Sequence, residues 1–443
     1  PTAPETSEVE WHNWTGDESC RPREVVHPGS TEEIAAAVVR AAKAAMRVRV
    51  AGAGHSFTDI ACTDGMLIVL DRCQEVLDVD RESGLVRVRA GISIARLNAA
   101  LAEHGLALEN LGDIDAQSIA GAISTATHGT GARLRNIPSQ VASLTLVLAD
   151  GSIVTFSEES DPEAFLAARV GLGALGVLAE VTLRCVPAFT LCGIDAPAPL
   201  EQTLARFEEM ALANDHFEFY VFPHCDTALT RVNNRTEQLP EPRGKVVEYA
   251  NDVLLTNRTF EMFCRIGRRL PARIPEINRI VTRLAGKSKR IDRSDRIFAS
   301  PRLVKFTEME YALPRAHTTE AVRRVLETIE QRGFAVPFPI EVRTVAPDDA
   351  LLSTAQGRES GYVAVHMYRG MPWRPYFEAV EQIMLALDGR PHWGKRHSQK
   401  AATLRTRYPG WERFQAVRAR LDPEGRFANA WTDRVLGPVG ATP

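Results

Sequence analysis

Two histidine-bearing turns and one charged strand hold the side chains of this chain best able to do chemistry. In Arg47-Val-Arg-Val-Ala-Gly-Ala-Gly-His-Ser-Phe-Thr-Asp59 an alternating apolar run empties into Gly52, Ala53, Gly54, His55 and Ser56. Glycines have no Cβ, so backbone N–H groups at such a turn can close on a phosphate, and one imidazole stands at the lip. The dinucleotide fingerprint G-x-G-x-x-G needs a third glycine where this chain has Phe57. Taken alone, the turn leaves open a phosphate cradle with a reactive histidine, an incomplete NAD site, and a structural loop.

A second small-residue segment, Gly121-Ala-Ile-Ser-Thr-Ala-Thr-His-Gly-Thr-Gly131, brings hydroxyls and His128, and a third, Gly171-Leu-Gly-Ala-Leu-Gly176, runs straight into an apolar strand pattern. Three such turns in the first half of the chain fit one extended polar ligand lying across a sheet. Far downstream, Glu341 and Arg343 stand two residues apart in Phe338-Pro-Ile-Glu-Val-Arg-Thr344, so on a strand they share a face. Facing an active site, the pair binds a hydroxyl and supplies fixed positive charge; facing water, it is a surface ion pair.

Together with Pro391-His-Trp-Gly-Lys-Arg-His397, these segments resemble the aldonolactone oxidoreductases, a branch of the vanillyl-alcohol-oxidase type flavoproteins, from about Trp14 to Leu436. The likeness is to the bacterial L-gulono-1,4-lactone dehydrogenases and sugar-1,4-lactone oxidases, with alditol oxidases next. It implies an α+β chain of two domains: a PCMH-type FAD-binding domain over residues 14–187 and a cap or substrate domain with a mixed sheet over 188–398. Residues 399–443 are expected to return to the first domain. The implied cofactor is FAD, attached covalently through His55 to the C8 methyl of the isoalloxazine. Gly52, Ala53, Gly54 and Ser56 would hold the pyrophosphate, and Gly112, Asp113, Ser118, Gly121, Thr125, His128 and Gly131 would form the second flavin loop. Gly176 and Val177 would meet the adenosine side.

The resemblance assigns catalysis to Glu341, Arg343 and Lys395, with His366 lining the same cavity and His397 holding Lys395 or contacting substrate. The implied reaction oxidises the C2 hydroxyl of an aldono-1,4-lactone by hydride transfer to flavin N5; from L-gulono-1,4-lactone the product is L-ascorbate. The acceptor is O2, a quinone, a cytochrome or a dye. Gly112 leaves room for oxygen, whereas bacterial relatives act as dehydrogenases. Alditol oxidases carry serine where this chain has Asp113, which turns the reading toward lactones. A binding protein without a working flavin is disfavoured by the intact Glu341, Arg343 and Lys395.

Elements must position these groups. Pro28-Gly-Ser-Thr predicts a helix start running to Met46, with Ser30 or Thr31 as cap. Strands are expected at Met66–Asp71, Leu85–Arg89 and Val177–Val186, with a hairpin over Leu144–Ser157 turning at Asp150-Gly151. Period-two alternation marks Phe217–Phe222, Phe306–Tyr311, Phe338–Thr344 and Tyr362–Tyr368 as strands with one buried face. Helical patterns at Thr318–Arg332 and Pro375–Leu387 interleave with them.

The 443 residues exceed what one core usually carries, about 250–300 residues. A net charge of −3 gives no reason to expect nucleic acid. Seven cysteines without C-x-x-C spacing argue against zinc and against a disulfide framework, which fits a reducing compartment, and no metal site is expected. The N-terminal residues lack the basic and apolar regions of a signal peptide, and no apolar run approaches the roughly 20 residues that span a bilayer. A soluble, cytoplasmic protein is expected. Arg258 to Lys305 is strongly basic; it reads first as a solvated helical face, the alternative being docking onto an acidic redox partner or an anionic membrane.

Overall fold

The first cradle grows out of three short parallel strands, ordered Glu24–Val26, Met66–Val69, Val48–Ala51. Between the first and third of them in sequence runs the helix Thr31–Lys43, capped by Ser30, whose Oγ accepts from the Glu33 N–H at 3.1 Å. Its buried stripe of Ile34, Ala37, Val38 and Ala41 has the spacing of one helix face. The computed structural model describes residues 10–241, 257–299 and 303–440.

A five-stranded antiparallel sheet follows, in the order Ile153–Ser157, Val141–Val147, Val177–Arg184, Leu85–Arg89, Val76–Asp80. Its hairpin turns at Asp150-Gly151, where the Asp150 carboxylate accepts from the Ser152 N–H at 2.9 Å. One apolar core joins these layers: Ile34, Leu144 and Val177 share it with Trp411, Phe414, Phe427 and Trp431 from the C-terminal helices and turns.

A second core lies under an eight-stranded sheet ordered Ser288–Arg293, Thr190–Pro199, Thr227–Thr236, His216–Val221, Ile340–Val345, Ser360–Tyr368, Phe306–Pro314, Arg390–Pro391. Every neighbouring pair in it is antiparallel, which corrects the expectation of a mixed sheet. The helix Thr318–Arg332 does connect two strands that run the same way, Phe306–Pro314 and Ile340–Val345. The strand Ser360–Tyr368 inserts between them and pairs with both. Among the described residues no helix is long and apolar enough to cross a membrane.

Arg49 links the layers. It is buried, and its guanidinium donates from Nε to the carbonyl of Ile60 (2.8 Å), from Nη1 to Gly173 (3.0 Å) and Phe427 (2.7 Å), and from Nη2 to Leu172 (3.1 Å). The backbone adds a direct tie, Val48 N–H to Arg426 O at 2.8 Å. Arg49→Met keeps the apolar stem, removes four hydrogen bonds and leaves the carbonyls of Leu172, Gly173 and Phe427 without their donor, Ile60 O keeping Asn429 Nδ2. It is expected to lower unfolding free energy by about 3 kcal/mol, read as a shift of the urea midpoint at unchanged slope; a loss under about 1 kcal/mol would refute Arg49 as the tie.

Candidate active site

The three glycine turns converge on one groove. Gly52, Ala53, Gly54, His55 and Ser56 line it from the first turn, Ser118, Gly121 and Thr125 from the second, and Gly171, Gly173 and Gly176 from the third. Two positions show why side chains are excluded. A Cβ at Gly52 would fall 1.9 Å from the Ser118 Oγ, and Gly54 has φ +68°, which an L side chain rarely adopts. The Ser118 hydroxyl that occupies this space also caps the helix Ile119–Ser124, accepting from the Gly121 N–H at 3.3 Å.

At one end of the groove the chain's two halves meet. The Phe57 N–H donates to Gly394 O at 2.8 Å, and a Cβ at Gly394 would lie 3.5 Å from Ser56 Oγ, Thr125 Oγ1 and His392 Cε1. Lys395 and His392 both line the groove. The His55 ring stacks on Trp14 with centroids 5.3 Å apart, and Trp14 is itself covered by Lys305 Nζ at 4.0 Å from its ring. Burial, then the ammonium groups of Lys305 and Lys395, pull the His55 pKa down to about 4. The imidazole is therefore neutral at physiological pH, with a nitrogen lone pair available.

Behind Lys395 runs a line of buried charges of alternating sign. Arg343 Nη2 lies 3.3 Å from Asp113 Oδ2 and also contacts the Glu341 carboxylate. His366 Nε2 stands between Glu341 Oε2 at 4.0 Å and Glu308 Oε1 at 3.6 Å, and the other Glu308 oxygen holds the Lys395 ammonium. His366 Nδ1 is 3.1 Å from Pro339 O, a contact that needs its proton, so Nε2 is the nitrogen facing the two carboxylates. Burial opposes charge on His366, but the facing Glu308 prevails and its pKa is raised. Burial lifts Glu341 to about 7 against the pull of Arg343. Phe306 and Phe338 wall His366 at centroid distances of 5.2 and 5.9 Å.

Several expected cofactor residues lie outside the groove lining. Gly112 backs onto the His128 carbonyl, which an added Cβ would meet at 3.2 Å. Asp113 lines a second, smaller recess with Glu218, Arg231 and Arg343. Gly131 donates its N–H to Thr344 O at 2.8 Å and so ties the second turn to the charged strand, while Val177 opens a buried strand beside Val147. His128 braces its turn: Nδ1 meets Gly129 O at 2.8 Å, and Nε2 faces Glu310 Oε1 at 3.2 Å. With Glu310 and His392 it forms a buried cluster whose ligating atoms lie within 4.8 Å of one another.

His397 is a correction. Neither of its buried ring nitrogens has a hydrogen-bond partner, so it does not hold Lys395, and it is absent from the groove lining; its ring stands edge-on to Trp393 and Trp431. Glu308 and Glu310 were missed in the sequence. They alternate with Met309 in a strand buried along nearly its whole length, and two carboxylates in such a run are the signal.

Residues 181–435 match the family described as D-arabinono-1,4-lactone oxidase, and residues 22–157 match that described as an FAD binding domain. The chain is 50% identical over 428 residues to the L-gulono-1,4-lactone dehydrogenase of Mycobacterium tuberculosis (strain ATCC 25618 / H37Rv), covering 97% of this chain and 99% of that one. It is 36% identical to the L-gulonolactone oxidase of Bos taurus, covering 97% and 98%. A solved solvent-stable cholesterol oxidase shares the fold, with a TM-score of 0.82 at 18% identity over 97% of each chain. The groove fits FAD, and the two-domain fold is the vanillyl-alcohol-oxidase type. The chain belongs to the aldonolactone oxidoreductases, the family of D-arabinono-1,4-lactone oxidase.

Proposed function

We propose that this flavoprotein oxidises the C2 hydroxyl of a sugar 1,4-lactone such as L-gulono-1,4-lactone, and that the charged line from Asp113 to Lys395 is its substrate site. The observation that carries this reading is where the line ends: Lys395 belongs both to it and to the groove. FAD bound in the groove supplies a hydride acceptor at N5, reoxidised by O2, a quinone, a cytochrome or a dye. Gly52, Ala53, Gly54, Ser56, Ser118, Gly121, Thr125 and Gly176 would hold it, and neutral His55 is the group for covalent attachment.

The protein's own part is to bind the lactone, orient it and take a proton. Arg343 and Lys395 are fixed cations that hold lactone oxygens and favour negative charge developing beside them. The Lys395 ammonium is held by Glu308, and His366 is pinned on Nδ1 and faces carboxylates on Nε2, so both are protonated in the resting site. Glu341 is the carboxylate left to accept the hydroxyl proton, with a pKa close to working pH. The Asp113 carboxylate beside Arg343 favours a lactone over a linear polyol. Flavin reduction by L-gulono-1,4-lactone but not by xylitol would support this, and the reverse preference would make the chain an alditol oxidase.

Docking through the basic stretch is supported by its mixed surface. On the helices Thr259–Arg269 and Ile274–Leu284, Met262, Ile266, Ile280 and Leu284 are exposed beside exposed Arg269, Arg279 and Arg283. Residues 300–302 of the stretch lie outside the described residues. Apolar and cationic groups side by side suit an anionic bilayer, which takes up both kinds.

Three outcomes are expected. Yellow colour should stay with the acid-precipitated protein and pass to the supernatant in His55→Ala. The rate of flavin reduction should rise about tenfold per pH unit up to about 7 and then level, as Glu341 loses its proton. Glu341→Gln should abolish that limb and slow reduction by ~10²–10⁴; an unchanged profile would remove Glu341 as base. The protein should sediment with phosphatidylserine vesicles at low salt and be released as salt screens the attraction, and binding to neutral vesicles alone would contradict the docking surface.

A further inference from the structure

All seven cysteines are free, yet two of them face each other. The parallel pairing of Glu24 with Met66 and of Val25 with Leu67 begins four residues beyond each cysteine and brings their two segments together. The segments stay side by side on the way: Arg23 N–H donates to Asp64 O and Glu24 N–H to Gly65 O, each at 3.2 Å. The Cys62 thiol hydrogen-bonds to the Cys20 sulfur, and the Thr63 N–H points at the same sulfur. Both side chains are only half-buried, so an oxidant can reach them.

Cys20 closes a strap over the groove. It ends the small hairpin of Trp11–His12 and Ser19–Cys20, where it pairs with Trp11. Trp11 and Trp14 from this strap line the cofactor groove. The other side of the strap is held to the cradle by weaker bonds, Trp14 N–H to Gly54 O at 2.8 Å and Asn13 Nδ2 to Ser56 O at 3.0 Å. Cys62 follows the short turn of Asp59–Ala61, whose Ile60 carbonyl is gripped by Arg49.

We propose that Cys20 and Cys62 are a modification site, a dithiol that peroxide converts reversibly to a disulfide fastening residues 10–20 over the cofactor groove. The Cys20 thiolate attacks one peroxide oxygen, giving a sulfenic acid and, with a proton taken up, one water. The Cys62 thiol then attacks that sulfur, the S–S bond forms and the second water leaves. Two thiols lose two electrons and two protons, and one peroxide becomes two waters. The hydrogen bond from Cys62 draws the Cys20 pKa to about 7, while Cys62 is pushed up, which divides the attacking and resolving roles between them. A small-molecule thiol returns the pair to the dithiol by two exchange steps, two such thiols becoming one disulfide.

The test treats the holoprotein with one equivalent of hydrogen peroxide, blocks remaining thiols and maps peptides by mass. A peptide pair joined through Cys20 and Cys62, lighter by two hydrogens and released by dithiothreitol, is expected, and C20S and C62S should each abolish it. Hydrogen–deuterium exchange over residues 10–20 should slow at least tenfold in the oxidised protein and not in either variant. Cys20 recovered as sulfinic acid, or a bridge to another cysteine, would overturn the site. A Cys20–Cys62 bridge with unchanged exchange would overturn the strap.

Discussion

A single buried guanidinium sets the geometry on which the rest depends. Arg49 stands on the strand that leads into the first cradle and donates to carbonyls of the 59–62 turn, the third glycine turn and the C-terminal tail. Carbonyl oxygens rather than carboxylates satisfy it, and although burial draws its pKa down to about 10 it remains charged at neutral pH. A planar fork with fixed donor directions is suited to this task, because it fixes the orientation of several backbone segments at once; a flexible ammonium would fix only distances. The groove is the space left between segments so held.

The second constraint is electrostatic. The strand Phe306–Pro314 is buried along nearly its whole length and still carries Glu308 and Glu310, each of which must find a cation or lose its charge. Glu308 finds Lys395 and His366; Glu310 faces the His128 imidazole, 3.2 Å from its Nε2. Those partners come from the second glycine turn, the neighbouring strand and the His-Trp-Gly-Lys turn. Neutralising two buried carboxylates thus gathers three distant segments at one end of the groove. The recess beyond is built the same way, with Arg343 set among Asp113, Glu218 and Glu341.

Much of this was legible in the sequence. Local signals were strong where one residue type has one physical meaning, Ser30 as a cap and Asp150-Gly151 as a hairpin turn; period-two alternation located the strands at Phe306 and Tyr362 but not their burial, since both faces are covered rather than one. The three glycine turns read correctly as parts of one groove, because excluding a Cβ is a local property. The antiparallel order of the large sheet was not legible, since a helical crossover between two strands says nothing of a third inserted later between them. His397 misled for a related reason. Proximity in sequence to Lys395 does not fix which way a ring turns, and here two tryptophans decide it. Arg49 looked like one more residue in an alternating strand; its four acceptors lie 11 to 378 residues away.

One arrangement of charge serves two needs at the His55 end of the groove. Lys305 is fixed by donating to Trp14 O at 2.6 Å, and Lys395 by Glu308. Both ammonium groups disfavour a proton on the imidazole, which keeps His55 in the form that has a nucleophilic lone pair. Cations fixed beside the groove also favour negative charge that develops within it, and they do so without reorganising at the moment of reaction. An arrangement that had relied on a protonated histidine for that positive charge would have lost the nucleophile. Lysines held by a tryptophan carbonyl and a buried glutamate supply the charge and leave the imidazole neutral.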